Sequence, residues 1–211
     1  MLALHGYWRS GAAWRVRLVL ALKGLDWTSV PHDLRHGEQA LPTYRALNPQ
    51  ALVPALDTGA AVLTQSLAIC EWLEEAWPQP PILPADPLLR AQARAIALVI
   101  ACDTHPLANL RVQQALRRDL GADEAQVNGW LAHWIGDGLD AVAALVARHG
   151  GAFAVGDTPT IADCCLVPQL YGARRFGLDA ARWPALVAIE ARLLALPGLA
   201  ATHPDQQADA A

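Results

Sequence analysis

The sequence predicts an α/β domain of order βαβαββα followed by an all-α domain. Three observations carry this. Short apolar runs alternate with helical patterns as far as Trp77. Pro78, Pro80, Pro81, Pro84 and Pro87 then crowd one short stretch, a density that cannot be helix interior and marks a linker. Everything after the linker is patterned as helix. The domains are therefore placed at residues 1–80 and 88–211.

The chain has 211 residues, enough for one large or two small domains, and 54% of them are hydrophobic, enough for a sizeable core. A net charge of −4 without a Lys/Arg cluster argues against a nucleic-acid surface. No apolar run is long enough to span a membrane. The start lacks the charged region and long apolar stretch of a signal peptide, so the expected location is cytoplasmic. Cys70, Cys102, Cys164 and Cys165 each lie in an apolar helical pattern, with no CxxC pair and no zinc spacing. They read as reduced core residues, and the adjacent Cys164 and Cys165 point to different faces of a helix.

Each element has its own signal. Leu2-Ala3-Leu4 reads as a short buried strand. Val16, Leu18, Val19, Leu20 and Leu22 supply a core-facing helical stripe. Lys23-Gly24 is its stop, with Gly24 in the left-handed conformation. Trp27 to Pro31 is a second strand. Leu34 to Asn48 is polar and mixed, suited to a loop and one irregular helix. Gln50 to Asp57 extends into a strand, Thr58-Gly59 turns, and Ala61 to Thr64 returns as a hairpin. Ser66 opens a helix running to Glu75, with a polar cap at its start. Beyond the linker, Leu88 to Cys102 is a long helix, His105-Pro106 interrupts it, and Asn109 to Leu120 resumes. Glu124 to Arg148 is stopped by Gly150-Gly151. Thr160 is an N-cap with Asp163 three residues on, a capping box with Asp for the usual Glu. The helix it opens, to about Tyr171, is almost wholly apolar, and Pro168 is expected to kink it. Trp183 to Leu196 is the last helix. From Pro197 the chain is small and polar, with the end expected to fray.

Four places have chemical potential. Ser10 and Gly11 sit where a strand turns into a helix, so unpaired N–H groups and the positive end of the helix dipole favour a thiolate, phosphate or carboxylate there; alternatively Ser10 only caps the helix. Val53-Pro54 is a candidate cis bond in a tight turn. It leaves the Val53 backbone free to pair with an extended peptide, or it is a structural turn only. Gln65-Ser66, at a helix N-terminus, suits a carboxylate, or Ser66 is a plain cap. His105, Asn109 and Arg111 form the fourth group, with His105 and Asn109 on one helix face if the Pro106 turn stays helical; His105 alone also reads as a satisfied interior residue.

The order of these segments resembles the zeta class of glutathione transferases. The resemblance rests on Ser10…Trp14-Arg15-Val16-Arg17, Ala46-Leu47-Asn48-Pro49-Gln50…Val53-Pro54, Gln65-Ser66-Leu67-Ala68-Ile69 and Gly156-Asp157-Thr158-Pro159-Thr160-Ile161-Ala162-Asp163. It spans Leu2 to about Leu196. Trp8-Arg9-Ser10-Gly11, Cys102-Asp103-Thr104-His105-Pro106 and Ala173-Arg174-Arg175-Phe176 are most similar to the maleylpyruvate isomerase branch. Ala12 stands where the class usually has cysteine, which excludes chemistry on an enzyme thiol there.

The resemblance implies a thioredoxin-like first domain, the glutathione transferase fold, a homodimer, glutathione as cofactor and a small dicarboxylate as substrate. Its glutathione site would be Ser10, Gly11, Ala12, Ala13, Trp14, Arg15, Gln39, Val53, Pro54, Gln65, Ser66, His105, Asn109, Leu110 and Arg111. It implies isomerisation of maleylpyruvate to fumarylpyruvate, as in gentisate degradation, by thiolate addition, bond rotation and elimination. Ser10 would favour the thiolate. Arg9 and Arg111 would bind the carboxylates, with Arg174 or Arg175 third, since arginine's planar fork suits them. Arg15 and Arg17 are also suited to structural ion pairs. The alternatives are maleylacetoacetate as substrate, conjugation or dehalogenation of small α-halo acids, and a non-catalytic interaction scaffold.

Overall fold

The computed structural model describes residues 1–210. It divides into two compact units: Met1–Ile82 together with the tail from Leu194, and Leu83–Leu193.

The first unit contains β1 (Leu2–Gly6), α1 (Gly11–Leu22), β2 (Trp27–Pro31), α2 (Pro42–Arg45), β3 (Ala55–Asp57), β4 (Val62–Thr64) and α3 (Ser66–Ala76). The sheet order is β2-β1-β3-β4, with β1 parallel to β2 and both other pairings antiparallel. This is the expected order of elements. α1 is not amphipathic: Ala13 to Leu20 are all buried, because the helix packs against α3 as well as the returning tail. It ends in a Schellman motif, with Gly24 at φ +63° and the Leu25 N–H reaching the Leu20 carbonyl. The buried Lys23 has a further role. Its Nζ donates to Glu74, the Trp77 carbonyl and the Pro80 carbonyl, and Glu74 also accepts from the Ile82 N–H. These bonds tie the proline-rich segment to the first unit as far as Ile82.

The tail departs from expectation. It does not fray and does not belong to the helical unit. Leu199, Thr202 and Pro204 are buried, and the Thr202 hydroxyl oxygen accepts from the Trp14 indole N–H at 2.9 Å. Small and polar composition concealed a segment that buries Leu199 and Pro204 and supplies partners to α1.

The second unit comprises α4 (Pro87–Leu98), a π-helical stretch (Val99–Thr104), a 3-10 turn (His105–Ala108), α5 (Leu110–Leu120), α6 (Glu124–His149), α7 (Ile161–Arg175) and α8 (Pro184–Leu194). Two expectations change here. The helix from Leu88 leaves α geometry after Leu98. Cys102, in the π-helical stretch, is exposed, whereas Cys70, Cys164 and Cys165 are buried; all four are free thiols. α7 runs through the core, with Ile161 to Leu170 buried and Pro168 accommodated inside a helix that continues to Arg175. Its capping box is formed as predicted. Asp163 is fully buried, accepting from the Ala154 N–H at 2.8 Å and the Thr160 N–H at 2.7 Å. Among the described residues no helix is long and apolar enough to cross a membrane.

Candidate active site

In the first unit, the turn after β1 is closed by the Ser10 N–H on the Tyr7 carbonyl at 2.9 Å. Ser10 is the N-cap of α1, its Oγ accepting from the Ala13 N–H at 3.2 Å. An accepting hydroxyl keeps its own hydrogen, so capping and donation to a ligand are compatible. The Gly11 and Ala12 N–H groups meet no partner among the described residues. The first turn of α1 carries no acidic residue. The turn is thus an anion-seeking end with three donors available. Arg9 lies over the Trp8 ring at 5.1 Å.

The Val53 edge is built by its neighbours. The Leu52 carbonyl accepts from the Tyr44 hydroxyl at 2.7 Å and from Asn48 Nδ2 at 2.6 Å. Asn48, only 2% exposed, also accepts from the Gln50 N–H. Burial pushes the Tyr44 phenol up to about 12, so it stays a donor. Val53-Pro54 is cis, as expected. The Val53 backbone forms no hydrogen bond among the described residues, so an extended peptide has both groups to pair with.

Ser66 departs from the cap reading. Gln65 occupies the N-cap position without a side-chain cap bond. Its φ of +67° is in the left-handed region, unusual for a non-glycine residue, and such strain gathers at ligand sites. Ser66 lies inside α3 and its Oγ accepts from the Arg15 guanidinium at 2.7 Å. Gln65 Nε2 donates to Gln50 Oε1 at 2.6 Å. Gln50 thus joins the start of α3, and its place in the Asn48-Pro49-Gln50 segment is the sequence signal for it. Gln39, on a short 3-10 turn, has a buried Oε1 with no partner.

Neither Arg15 nor Arg17 forms the expected ion pair. Arg17 donates to the Trp8 and Thr202 carbonyls instead, and burial pulls its pKa down to about 10. His5 Nδ1, on β1, and His32 Nε2, just after β2, lie 2.9 Å apart. Burial lowers the pKa of both.

In the second unit, His105 and Asn109 do not share a helix face. Asn109 is extended, at φ −65° and ψ 149°, and caps α5 by accepting from the Arg111 N–H. Pro106 tightens the chain into a 3-10 turn that α5 must restart from. The preceding π-helical stretch packs on α6 at Gly138, where an added Cβ would come within 2.0 Å of Thr104 Oγ1. Leu110 and Arg111 are exposed. The Arg111 side chain meets no partner among the described residues. Arg174 is committed to Glu190 through two bonds, of 2.7 and 2.5 Å, whereas the Arg175 guanidinium stacks on Phe176 at 4.3 Å.

Residues 9–76 match the family described as glutathione S-transferase, N-terminal domain. The chain is 46% identical over 210 residues to a maleylpyruvate isomerase from Ralstonia, covering 99% of each chain. It is 47% identical over 209 residues to a maleylacetoacetate isomerase from Pseudomonas aeruginosa, covering 98% of this chain and 97% of that one. A holo structure of a maleyl pyruvate isomerase, described as a bacterial zeta-class glutathione S-transferase, superposes with a TM-score of 0.96 at 46% identity, covering 99% of this chain and 100% of that one. A maleylacetoacetate isomerase from Methylobacterium extorquens, solved with malonate and glutathione bound, superposes with a TM-score of 0.95 at 40% identity, covering 99% of each.

Proposed function

Because the chain belongs to the glutathione S-transferase family, within the group of zeta-class maleylpyruvate and maleylacetoacetate isomerases, we propose that it is a glutathione-dependent cis–trans isomerase converting maleylpyruvate to fumarylpyruvate. The observation that carries this is near-full-length identity of 46% to a maleylpyruvate isomerase, in a chain that keeps the Ser10 turn and the unpaired Val53 edge.

The residues fit the cofactor. The Val53 N–H and C=O are free to pair with a peptide backbone. The partnerless buried Gln39 oxygen suits a ligand donor, and the buried Arg15 cation suits a carboxylate. When bound, glutathione supplies a thiolate nucleophile that adds to the alkene and leaves again unconsumed. The protein's part is positional and electrostatic. Ser10 donates its hydroxyl hydrogen to the sulfur, and the Gly11 and Ala12 N–H groups hold negative charge there. Arg9 and Arg111 bind the substrate carboxylates and stabilise charge that develops in the reaction. No protein thiol stands at the class cysteine position, which is Ala12 here, so the nucleophile is glutathione's own. A relative binding malonate, a small dicarboxylate, supports the substrate class. The reading includes a cytoplasmic homodimer.

Maleylacetoacetate is the second reading, favoured by the 47% identity to a maleylacetoacetate isomerase. Dehalogenation or conjugation of α-halo acids has less support, and intact Ser10 and Val53-Pro54 segments weigh against a bare scaffold. The test is to follow free thiol over many turnovers of each dicarboxylate in turn. Product formation with constant thiol is expected, faster with maleylpyruvate. Stoichiometric thiol loss would make the protein a conjugating transferase.

A further inference from the structure

The proposed reaction leaves the C-terminal tail unused, yet the tail meets the Ser10 turn directly. In a turn closed by the Ser10 N–H on the Tyr7 carbonyl, the polar backbone groups of Trp8 have no partner within the turn itself. Both are taken up from outside. The Trp8 N–H donates to Asp209 Oδ2 at 3.0 Å. The Trp8 carbonyl accepts from Arg17 Nη2 at 2.9 Å, and Arg17 Nε in turn donates to the Thr202 carbonyl at 3.1 Å. Thr202 is 2% exposed and also takes the Trp14 indole N–H. The tail therefore holds the Trp8 N–H directly and the Trp8 carbonyl through Arg17. The Trp8 ring carries the Arg9 guanidinium, and Ser10 follows two positions later.

We propose that the tail is a positioning element of the active site, with Asp209 a positioning residue that sets Arg9 and the Ser10 turn through the Trp8 N–H. This rests on the roles given above to Arg9 and Ser10. One peripheral hydrogen bond contributes little to global stability. A donor displaced by an ångström from a developing charge loses much of its effect, so the same bond matters more for function than for folding.

The experiment compares Asp209→Ala and Asp209→Asn in the full chain with glutathione bound. It records the ultraviolet titration of the thiolate, KM and kcat for maleylpyruvate, and Tm. Asp209→Ala is expected to raise the thiol pKa and to raise KM about three- to tenfold, the size of one lost hydrogen bond, with Tm little changed. Asp209→Asn keeps an accepting oxygen and is expected to restore both. If Asp209→Ala moves Tm alone, the tail is structural only and the proposal is overturned. If Asp209→Asn behaves as Asp209→Ala, charge and not the tie to Trp8 is responsible, which also overturns it. An unshifted thiol in the unaltered chain overturns the glutathione reading, and the tail's role with it.

Discussion

Arg15 donates at 2.7 Å to the Ser66 hydroxyl oxygen, from a side chain that is 2% exposed and forms no ion pair among the described residues. A buried cation without a counter-charge is costly, and one hydroxyl offsets little of the cost. The bond also sets the serine: with Arg15 donating to its oxygen, the Ser66 hydrogen is left to donate to something else. Both facts suit a carboxylate ligand at the start of α3.

Replacing Arg15 should therefore separate binding from stability. Arg15→Met is expected to weaken glutathione about ten- to a hundredfold, the range for hydrogen bonds involving charge. It should leave the ligand-free Tm equal or higher, since an unpaired buried charge is removed. Arg15→Lys, without the planar fork, should recover little. Calorimetry with glutathione and a ligand-free melt decide it. An unchanged Kd with a lowered Tm would make Arg15 purely structural.

Ser10 and Arg111 should fail in different ways. Ser10→Ala is expected to raise the pKa of the bound thiol and lower kcat roughly tenfold to a thousandfold, because the α1 N-terminus keeps part of the stabilisation. Arg111→Ala should raise KM for the dicarboxylate, and lower kcat only if it also meets charge that develops in the reaction. The thiol titration needs no substrate, so it separates the roles. A titration unmoved by Ser10→Ala and shifted by Arg111→Ala would reverse the assignment.

Alkylation should find one thiol and spare activity. Cys102 is exposed while Cys70, Cys164 and Cys165 are buried, so a small reagent is expected to label Cys102 first. Isomerase activity with fresh glutathione should persist, as it should in Cys102→Ala. Inactivation that Cys102→Ala prevents would show that the π-helical stretch is coupled to the site.

The buried Asp163 gives stability a defined pH dependence. Burial raises its pKa to about 6, prevailing over the backbone and Thr160 donors that favour the carboxylate. The folded state thus binds this proton more tightly than the unfolded one. Its contribution is full below the ordinary carboxyl pKa near 4 and is lost as pH rises through about 6. The shift corresponds to about 3 kcal/mol at most. Urea melts from pH 4 to 7 should show this downward trend in the unaltered chain, relative to Asp163→Asn, which does not titrate. Parallel curves would mean that Asp163 stays ionised throughout.

Local patterns determined much of this protein. The βαβαββα order, the Gly24 stop and the Thr160–Asp163 capping box depend on neighbours a few residues apart, and their residue types sufficed to place them. So did the Ser10 turn, which a strand, a serine and a helical stripe define between them. What needed the tertiary structure was the choice of partner for polar groups distant in sequence. Arg15 reads as an ion-pair former until Ser66 is found beside it. Arg174 is indistinguishable from Arg175 until Glu190 takes one of them. A tail of small polar residues reads as frayed until Trp8, Trp14 and Arg17 present donors to it. Composition tells which groups must be satisfied when buried, but only the folded chain decides which partner lies within three ångströms.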